Sequence, residues 1–344
     1  MSSPDIERVR CAIVDWYGRS ARDLPWRGAG ASAWGVLVSE FMLQQTPVVR
    51  VLPVWTEWMR RWPTPADLAE ESRAEVLRAW GRLGYPRRAL RLHASAAAIV
   101  ESFGGEVPRT YEELLSLPGV GTYTAAAVAS FAFGEREVVV DTNIRRVEAR
   151  LVSGVAQPAA SLTRAETDVA ARLVPEQDGF GADSAARWNI AVMELGALVC
   201  TARSPKCVEC PVVGDCAWVD AGRPAPPLDR PRRTQAWHGT DRQVRGAVMA
   251  VLRAAGGAAD VAELGSAGEV AADRGVGGVA RSRLGVAPTV VEVVYEPLAK
   301  LYALGAPQEQ LERAVVGLVA DGLAEWDGAA ESQGTAEAIL RLPR

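Results

Sequence analysis

The pattern of apolar and polar residues predicts a chain built mostly from helices. Three stretches are apolar on nearly every face, which is typical of buried helices. They are residues 33–43 (AWGVLVSEFML), 122–133 (TYTAAAVASFAF) and 185–200 (AARWNIAVMELGALVC). A further apolar run ends at Val140, and the Asp-Thr-Asn that follows precedes another helical pattern. No stretch is apolar over the length that a membrane span needs, so we expect a globular, mostly α-helical protein.

The C-terminal hundred residues have a different pattern. Helical periodicity is present at residues 240–255 and 307–328, and residues 324–344 could then form a β-hairpin. Glu263–Pro288 is rich in Gly and Ala and has no clear period, while residues 289–304 fit either a strand or a helix. Two or three helices followed by a hairpin suggest a small winged-helix-like α+β tail.

The charge distribution allows nucleic-acid binding although the chain is acidic overall. The formal net charge of the 344 residues is −4. Residues 246–344 contribute −5, which leaves +1 for residues 1–245. The basic residues there are nearly all arginine and occur in groups: Arg82, Arg87, Arg88 and Arg91; Arg145 and Arg146; Arg230, Arg232 and Arg233. Duplex DNA requires a local basic face more than a basic total, although solvated helix faces give the same pattern.

Four of the five cysteines lie in one short stretch, which predicts a metal centre. Cys200, Cys207, Cys210 and Cys216 have the spacing C-x6-C-x2-C-x5-C. The polar N-terminus has no signal-peptide core, so we expect a cytoplasmic protein, in which disulfides are rare. Four thiolates suit a zinc ion or an iron–sulfur cluster. The single CxxC pair without nearby histidine favours the cluster. Cys11 is expected to be a small buried residue of an N-terminal helix.

Three further features carry candidate chemistry, and each has a simpler structural interpretation. Leu117–Gly121 (LPGVG) exposes backbone N–H groups to a phosphate, or only connects two helices. Glu40 lies within an apolar run, where burial would raise its pKa and make it a general acid, or it lies on the polar edge of its helix. Asp141 is a helix N-cap, a carboxylate that stabilises a cationic sugar, or both.

Together these motifs resemble the endonuclease III and MutY DNA glycosylases of the helix-hairpin-helix superfamily. The cysteine spacing resembles their cluster loop, and LPGVGTYTA followed by Asp141 resembles their hairpin signature. VSEFMLQQT resembles the corresponding helix of MutY-type adenine glycosylases. The resemblance covers roughly Asp5 to Trp218. It implies a 4Fe–4S cluster on the four cysteines and allows a monovalent cation on the hairpin carbonyls.

The resemblance also implies roles for individual residues. Glu40 would protonate the adenine ring, Asp141 would stabilise the sugar cation, and Tyr123 would support the intermediate. Endonuclease III-type lyases carry a Lys at the position of Tyr123, so we expect a monofunctional glycosylase. The implied adenine pocket consists of Trp26, Arg27 and Glu194. The implied DNA-binding residues are Gln45 and Tyr85, which wedge into the duplex, and Gly119, Val120 and Gly121 of the hairpin.

The implied architecture is a mostly α, helix-hairpin-helix DNA glycosylase fold. Its iron–sulfur cluster domain is discontinuous and comprises residues 1–27 and 133–220, and residues 28–132 form a six-helix barrel. Residues 221–237 are a Pro- and Arg-rich linker, and residues 238–344 form the winged-helix-like tail. This tail resembles the shortened C-terminal regions of actinobacterial MutY-like proteins, without the Nudix-like domain that recognises oxidised guanine elsewhere in the family.

The implied function is base excision repair. The chain would hydrolyse the N-glycosidic bond of adenine mispaired with 8-oxoguanine or guanine in double-stranded DNA, as a cytoplasmic, nucleoid-associated monomer. Two alternatives remain open at this point. One is a glycosylase of the same fold that acts on another mispaired base. The other is a non-catalytic DNA- or protein-binding module with a structural metal site.

Overall fold

The computed structural model describes residues 5–28, 30–176, 184–226, 238–254, 258–260, 296–326 and 339–344, and it is mostly helical. The helices, in chain order, are α1 (Ile6–Ser20), α2 (Ala33–Leu43), α3 (Val48–Arg61), α4 (Pro65–Ala69), α5 (Arg73–Trp80), α6 (Arg87–Phe103), α7 (Tyr111–Ser116), α8 (Thr122–Phe133), α9 (Thr142–Leu151), α10 (Arg164–Leu173), α11 (Ser184–Leu198), α12 (Ala217–Asp220), α13 (Asp241–Ala254) and α14 (Gln308–Ala320). Residues 296–302 are also helical. None of the described helices is both long and apolar enough to cross a membrane.

The chain divides into two compact units. The first contains Met1–Ala69 and Ala94–Pro231, and the second contains Glu70–His93 and Arg232–Arg344. The sequence-based boundaries placed residues 70–93 in the barrel, whereas here they group with the C-terminal segment. Most of the predicted linker, at residues 227–237, lies outside the described residues. The domain boundaries remain a prediction.

The three apolar stretches become buried helices of the first unit. Nearly every residue of α2 from Trp34 to Met42 is buried, and so is α8 from Thr124 to Ser130. Helix α2 packs against α8, and α11 packs against α1, α8 and α9. Side chains such as Ile13, Trp188 and Leu195 fill the core between them. This packing groups the chemistry-bearing positions of α2, α8, α9 and α11 in one unit.

Side-chain caps set where several of these helices begin. The Ser32 hydroxyl accepts a 3.0 Å hydrogen bond from the Gly35 amide at the start of α2. Thr110 and Glu113 form a reciprocal capping box on α7. Each cap satisfies an amide that has no partner within its own helix.

The second unit contains the predicted tail helices and hairpin. Helix α13 packs against both α14 and α5. Strands β2 (Glu325–Trp326) and β3 (Ile339–Arg341) pair antiparallel, and Trp326 is opposite Leu340. A short strand that the sequence pattern did not predict, β1 (Ala258–Asp260), pairs antiparallel with the other edge of β3. The sheet order is therefore β1-β3-β2. The Gly- and Ala-rich segment at residues 263–288 lies outside the described residues.

The expectation for Cys11 is wrong. Helix α1 buries Val9, Ile13 and Trp16, which recur at helical spacing on one face. Cys11 is on the opposite face and is exposed. The 3.6-residue period of α1 is the physical reason, because a residue two positions after Val9 lies about 200° around the helix.

Candidate active site and cluster loop

Glu40 is a buried carboxyl on the central helix α2. Only 6% of its surface is exposed, in a helix whose neighbouring side chains are almost all apolar. Burial raises the pKa of Glu40 to about 7, and the nearby Asp141 adds to this effect. A hydrogen bond from Tyr123 and the positive charge of Arg27 act in the opposite direction. Glu40 therefore retains its proton closer to neutral pH than an exposed carboxyl does, which suits a general acid.

Tyr123 connects Glu40 with the helix-hairpin-helix. It is the second residue of α8, and its hydroxyl forms the hydrogen bond with Glu40. Burial and the carboxyl groups of Glu40 and Asp141 raise the pKa of Tyr123 well above its ordinary value. The phenol therefore stays protonated and can act as a hydrogen-bond donor.

Asp141 caps helix α9, so its structural and chemical interpretations apply together. Its Oδ1 accepts hydrogen bonds from the amides of Asn143 at 2.9 Å and Ile144 at 2.6 Å. Its Oδ2 accepts a 2.8 Å bond from Nδ2 of Asn143. Burial raises the pKa of Asp141, while the hydrogen bonds and the charge of Arg146 oppose that rise. The cap fixes the orientation of the carboxyl group.

Arg146 links the support of Asp141 to the cysteine loop. Its Nη2 donates to Oδ1 of Asn143 at 2.8 Å and to the carbonyl of Gly196 at 2.6 Å. Its Nε donates to the carbonyl of Cys200 at 2.7 Å. A Cβ on Gly196 would lie 2.7 Å from Cβ of Asn143, so this close approach of α11 to α9 requires glycine. Two residues, Arg146 and Asn143, therefore connect Cys200 with Asp141 through three hydrogen bonds.

Glu194 is fully buried and holds two arginine side chains. Arg22 donates from Nε to Oε1 at 2.6 Å and from Nη2 to Oε2 at 2.7 Å, and its amide donates to Oε1 at 3.1 Å. Arg27 donates from Nη1 to Oε2 at 2.7 Å. Burial alone would raise the pKa of Glu194, but the two arginines lower it to about 2. Arg27 thus lies in the field of two carboxyl groups, Glu194 and Glu40.

Trp26 lies beside these groups in sequence and is buried. Its indole meets that of Trp55 edge to face, with ring centroids 5.4 Å apart. The Nε1 of Trp55 in turn donates a 2.9 Å hydrogen bond to the carbonyl of Gly35. The short 3-10 turn that contains Trp26 and Arg27 is thereby fixed on α2.

The two predicted wedge residues share an uncommon backbone conformation. Gln45 has a φ of 57° and Tyr85 has a φ of 48°, and both side chains are exposed. Among the described non-glycine residues, only these two and Arg223 have a positive φ. Strained backbone of this kind occurs at binding sites, where the surrounding structure holds a side chain in a required direction.

The predicted phosphate-binding turn joins α7 to α8. Gly119 has a φ of 80°, a left-handed conformation that favours glycine. Gly119 and Gly121 are exposed, while the Val120 side chain is buried and its amide donates to the carbonyl of Leu117 at 3.1 Å. No side chain caps Gly121 at the start of α8. The first amides of α8, which have no partner within their own helix, are the donors that this turn offers to a phosphate.

The cysteine loop suits a cluster of several metal ions. Cys200, Cys207, Cys210 and Cys216 line one cavity. The loop supplies amide donors to the sulfurs of Cys210 and Cys216, and Nη1 of Arg150 lies 3.3 Å from Sγ of Cys200. In a 4Fe–4S cluster each thiolate binds a different iron, and the donor set fits that group.

Comparison with known proteins assigns the chain to a family. Residues 38–172 match the HhH-GPD superfamily of base excision DNA repair proteins, and residues 200–216 match the iron–sulfur binding domain of endonuclease III. An adenine DNA glycosylase of Mycobacterium tuberculosis (strain H37Rv) is 56% identical over 244 residues, which are 71% of this chain and 78% of that protein. The chain belongs to the adenine DNA glycosylase family.

Solved structures support the fold of this family member. A thermostable thymine-DNA glycosylase is 27% identical with a TM-score of 0.55, and the match covers 63% of this chain and 97% of that one. Endonuclease III in a trapped covalent intermediate with DNA is 23% identical with a TM-score of 0.53, covering 64% and 97%. The helix-hairpin-helix glycosylase fold expected from the sequence is confirmed. The 4Fe–4S cluster is confirmed by the match to the iron–sulfur binding domain and by the adenine DNA glycosylase relatives.

Several residues that shape this site were not found from the sequence. Arg22 anchors Glu194 from 172 positions away, and Arg146 reaches Cys200 from 54 positions away. Both contacts depend on the packed fold, so no local pattern predicts them. Asn143 had a local signal, because the second residue after an N-cap Asp is within reach of that carboxylate.

Proposed function

We propose that this member of the adenine DNA glycosylase family hydrolyses the N-glycosidic bond of adenine mispaired with 8-oxoguanine or guanine in duplex DNA. The observation that carries the proposal is the group formed by Glu40, Tyr123 and Asp141. It combines a carboxyl that holds a proton near neutral pH with a second carboxyl fixed by a helix cap. Excision of a base needs a proton for the leaving group and a negative charge for the sugar.

Glu40 is the proposed general acid. A neutral purine is a poor leaving group, and a proton on the adenine ring stabilises the electrons that the breaking C–N bond releases. Glu40 donates this proton, which it retains because its carboxyl is desolvated in α2. Tyr123 orients the carboxyl through their shared hydrogen bond. Acid catalysis of this kind typically contributes about two to four decades in rate.

Asp141 is the proposed partner of the sugar. The transition state of glycosidic cleavage resembles an oxocarbenium ion, which a nearby carboxylate stabilises by charge or by a transient bond. The amides of Asn143 and Ile144 favour its ionised form. Water then completes the hydrolysis at the anomeric carbon.

The chain is proposed to be monofunctional, so that it removes the base and leaves the strand intact. A lyase would need an amine to form a Schiff base with the sugar. The sequence contains two lysines, Lys206 and Lys300, and Tyr123 occupies the position at which endonuclease III-type lyases carry a lysine. Lys206 pairs with Glu209 beside the cluster loop at 3.6 Å.

Recognition of the flipped adenine is proposed for the pocket formed by Trp26, Arg27 and Glu194. Both carboxylate oxygens of Glu194 already accept hydrogen bonds from arginines. Glu194 therefore acts on the base chiefly by fixing Arg27, and Trp26 provides an apolar wall. An extruded base is commonly bound by such a combination of stacking and fixed hydrogen-bond donors.

The duplex is proposed to be held by the wedge residues and the hairpin. Gln45 and Tyr85 enter the duplex and fill the space that the flipped adenine leaves. The turn formed by Gly119, Val120 and Gly121 binds a phosphate through the first amides of α8, and the carbonyls of the turn can hold a monovalent cation. The protein is proposed to act on DNA as a monomer in the nucleoid. Cys200, Cys207, Cys210 and Cys216 hold the 4Fe–4S cluster, which shapes a DNA-facing loop when it is bound.

A panel of mispaired duplexes tests this proposal. The full-length protein is incubated with labelled duplexes that carry adenine opposite 8-oxoguanine, guanine or thymine, and with thymine opposite guanine. Abasic product is detected after alkali, and strand breaks are scored without alkali. We expect abasic product only with adenine opposite 8-oxoguanine or guanine, and an intact strand before alkali. Excision of thymine alone would identify the alternative glycosylase, and no excision at all would reject the enzyme.

A further inference from the structure

The Tyr85 ring contacts two guanidinium groups, one close to it in the sequence and one distant from it. The Cζ of Arg88, three residues away, is 5.5 Å from the ring centroid. The Cζ of Arg242, the second residue of α13, is 5.3 Å from it. Both distances are within the range of a cation–π interaction. The C-terminal segment therefore contacts the proposed wedge residue directly.

The turn that presents Tyr85 is held in a conformation that a tyrosine rarely adopts. Its φ of 48° lies in the left-handed region, and the preceding Gly84 also has a positive φ. The Gly84 carbonyl accepts hydrogen bonds from Nε1 of Trp80 at 2.9 Å and from Nη2 of Arg88 at 3.0 Å. These bonds fix the backbone of the turn, but Tyr85 remains 47% exposed. The direction of the ring depends on what flanks it.

Further contacts connect the same turn to the C-terminal segment. The carboxylate of Asp321, at the end of α14, pairs with Arg87 at 3.2 Å and also with Arg245 of α13. Helix α13 packs against α5, which leads into the turn. The turn and the C-terminal helices consequently belong to one compact unit.

We propose that Arg242 is a positioning residue that holds Tyr85 in the direction needed to enter the duplex. This inference rests on the proposed function, because the proposed function is what gives Tyr85 a role at the mispair. On this account the C-terminal segment contributes to excision by supporting the wedge. The net charge of −5 over residues 246–344 fits such a role better than phosphate binding.

The test compares four full-length variants with the wild type: Arg242→Ala, Arg242→Lys, Tyr85→Ala and the double variant of Tyr85→Ala with Arg242→Ala. Arg313→Ala is the matched control, since it removes an arginine of the same unit that pairs with Asp241, the neighbour of Arg242 in the sequence. Base flipping is followed by the fluorescence of 2-aminopurine next to the mispair, together with single-turnover excision. Hydrogen exchange of residues 82–88 is measured without DNA.

We expect Arg242→Ala to slow flipping and excision about tenfold and to speed hydrogen exchange in the turn. Arg242→Lys, which keeps a cation over the ring, should restore most of the loss, and Arg313→Ala should match the wild type. In the Tyr85→Ala background, Arg242→Ala should have no further effect on flipping. Additive losses, or equal losses in Arg242→Ala and Arg313→Ala, would overturn the inference. If the wild type excises no adenine, the proposed function fails, while the exchange experiment still decides whether Arg242 holds the turn.

Discussion

The Nε of Arg146 donates a 2.7 Å hydrogen bond to the backbone carbonyl of Cys200. The same guanidinium holds Asn143, whose side chain holds Asp141. Cys200, the first proposed cluster ligand, and Asp141, the proposed sugar-stabilising carboxylate, are therefore parts of one hydrogen-bonded network. Only 8% of Arg146 is exposed, so solvent cannot replace these hydrogen bonds when they are lost.

Replacing Arg146 with Lys should impair catalysis more than duplex binding. Lysine keeps the charge but cannot bond Cys200, Gly196 and Asn143 at once, because it lacks the planar fork. We expect single-turnover excision to fall by about 10- to 100-fold, as is typical of residues that orient a ligand or a catalytic group. Arg145→Lys is the control, since Arg145 bonds Ala159, Ser161 and Glu166 instead. Equal losses in the two variants would show that the network has no specific role.

Replacing Cys207 with Ser should remove the cluster. A serine hydroxyl is a poor ligand for iron, so we expect loss of the brown colour, low iron content and weak duplex binding or low solubility. The exposed Cys11 provides the control, and Cys11→Ser should keep full iron and activity. Iron content by colorimetric assay and duplex affinity are the measurements. Full iron in Cys207→Ser would show that the ligand set is misassigned.

Replacing Glu194 with Gln should destabilise the protein and shift its pH profile. The substitution removes the buried charge that balances Arg22 and Arg27. The free energy of unfolding should fall by up to about 3 kcal/mol, and no more, because Arg22 is one-third exposed and can still be solvated. The uncompensated Arg27 should lower the pKa of Glu40, so the alkaline decline in excision should begin at lower pH. Urea unfolding and single-turnover rates against pH measure both effects. Glu57→Gln, in an exposed pair, should change neither.

Glu148 should make the stability of the protein depend on pH. Burial raises its pKa to about 8, and the charges of Asp141 and Glu166 add to the rise. Its Oε2 has no hydrogen-bond partner among the described residues. The folded state thus retains a proton that the unfolded chain releases above its ordinary pKa of 4.5. The contribution of Glu148 to stability is largest below that value and is lost as pH rises towards 8.

Glu148→Gln removes this titration, and each pKa unit of the shift corresponds to about 1.4 kcal/mol. The free energy of unfolding of the variant, relative to the wild type, should therefore increase steadily between about pH 5 and pH 8. Urea unfolding across this range measures the difference. A difference that stays constant with pH would show that Glu148 is ionised in the folded protein throughout.

The residues found from the sequence are those with a strong local signal. The four cysteines have a specific spacing, Asp141 follows an apolar run at a helix start, and Glu40 interrupts an apolar helix. Arg22 and Arg146 have no such signal, because their partners are brought near only by packing. The short strand at Ala258–Asp260 also escaped detection, since three residues show no usable period. Cys11 was misplaced although the period of α1 would have placed it correctly.

The contact between the C-terminal helices and Tyr85 also could not be predicted from the sequence. The sequence pattern identified both α13 and the Tyr85 region, but it placed them in separate domains. Pairing between segments more than 150 positions apart depends on tertiary packing, on which helix periodicity carries no information.

Single-turnover kinetics of Glu40→Gln test most directly whether Glu40 supplies the proton for adenine excision. The experiment uses excess enzyme and a duplex with adenine opposite 8-oxoguanine, over pH 6 to 9, after circular dichroism and duplex affinity have been matched to the wild type. Since the pKa of Glu40 is about 7, the wild-type rate should decline as pH rises above that value. The variant should be slower by about two to four decades near neutral pH and should lose this decline. A variant within a few-fold of the wild type, with the same pH profile, would contradict the account.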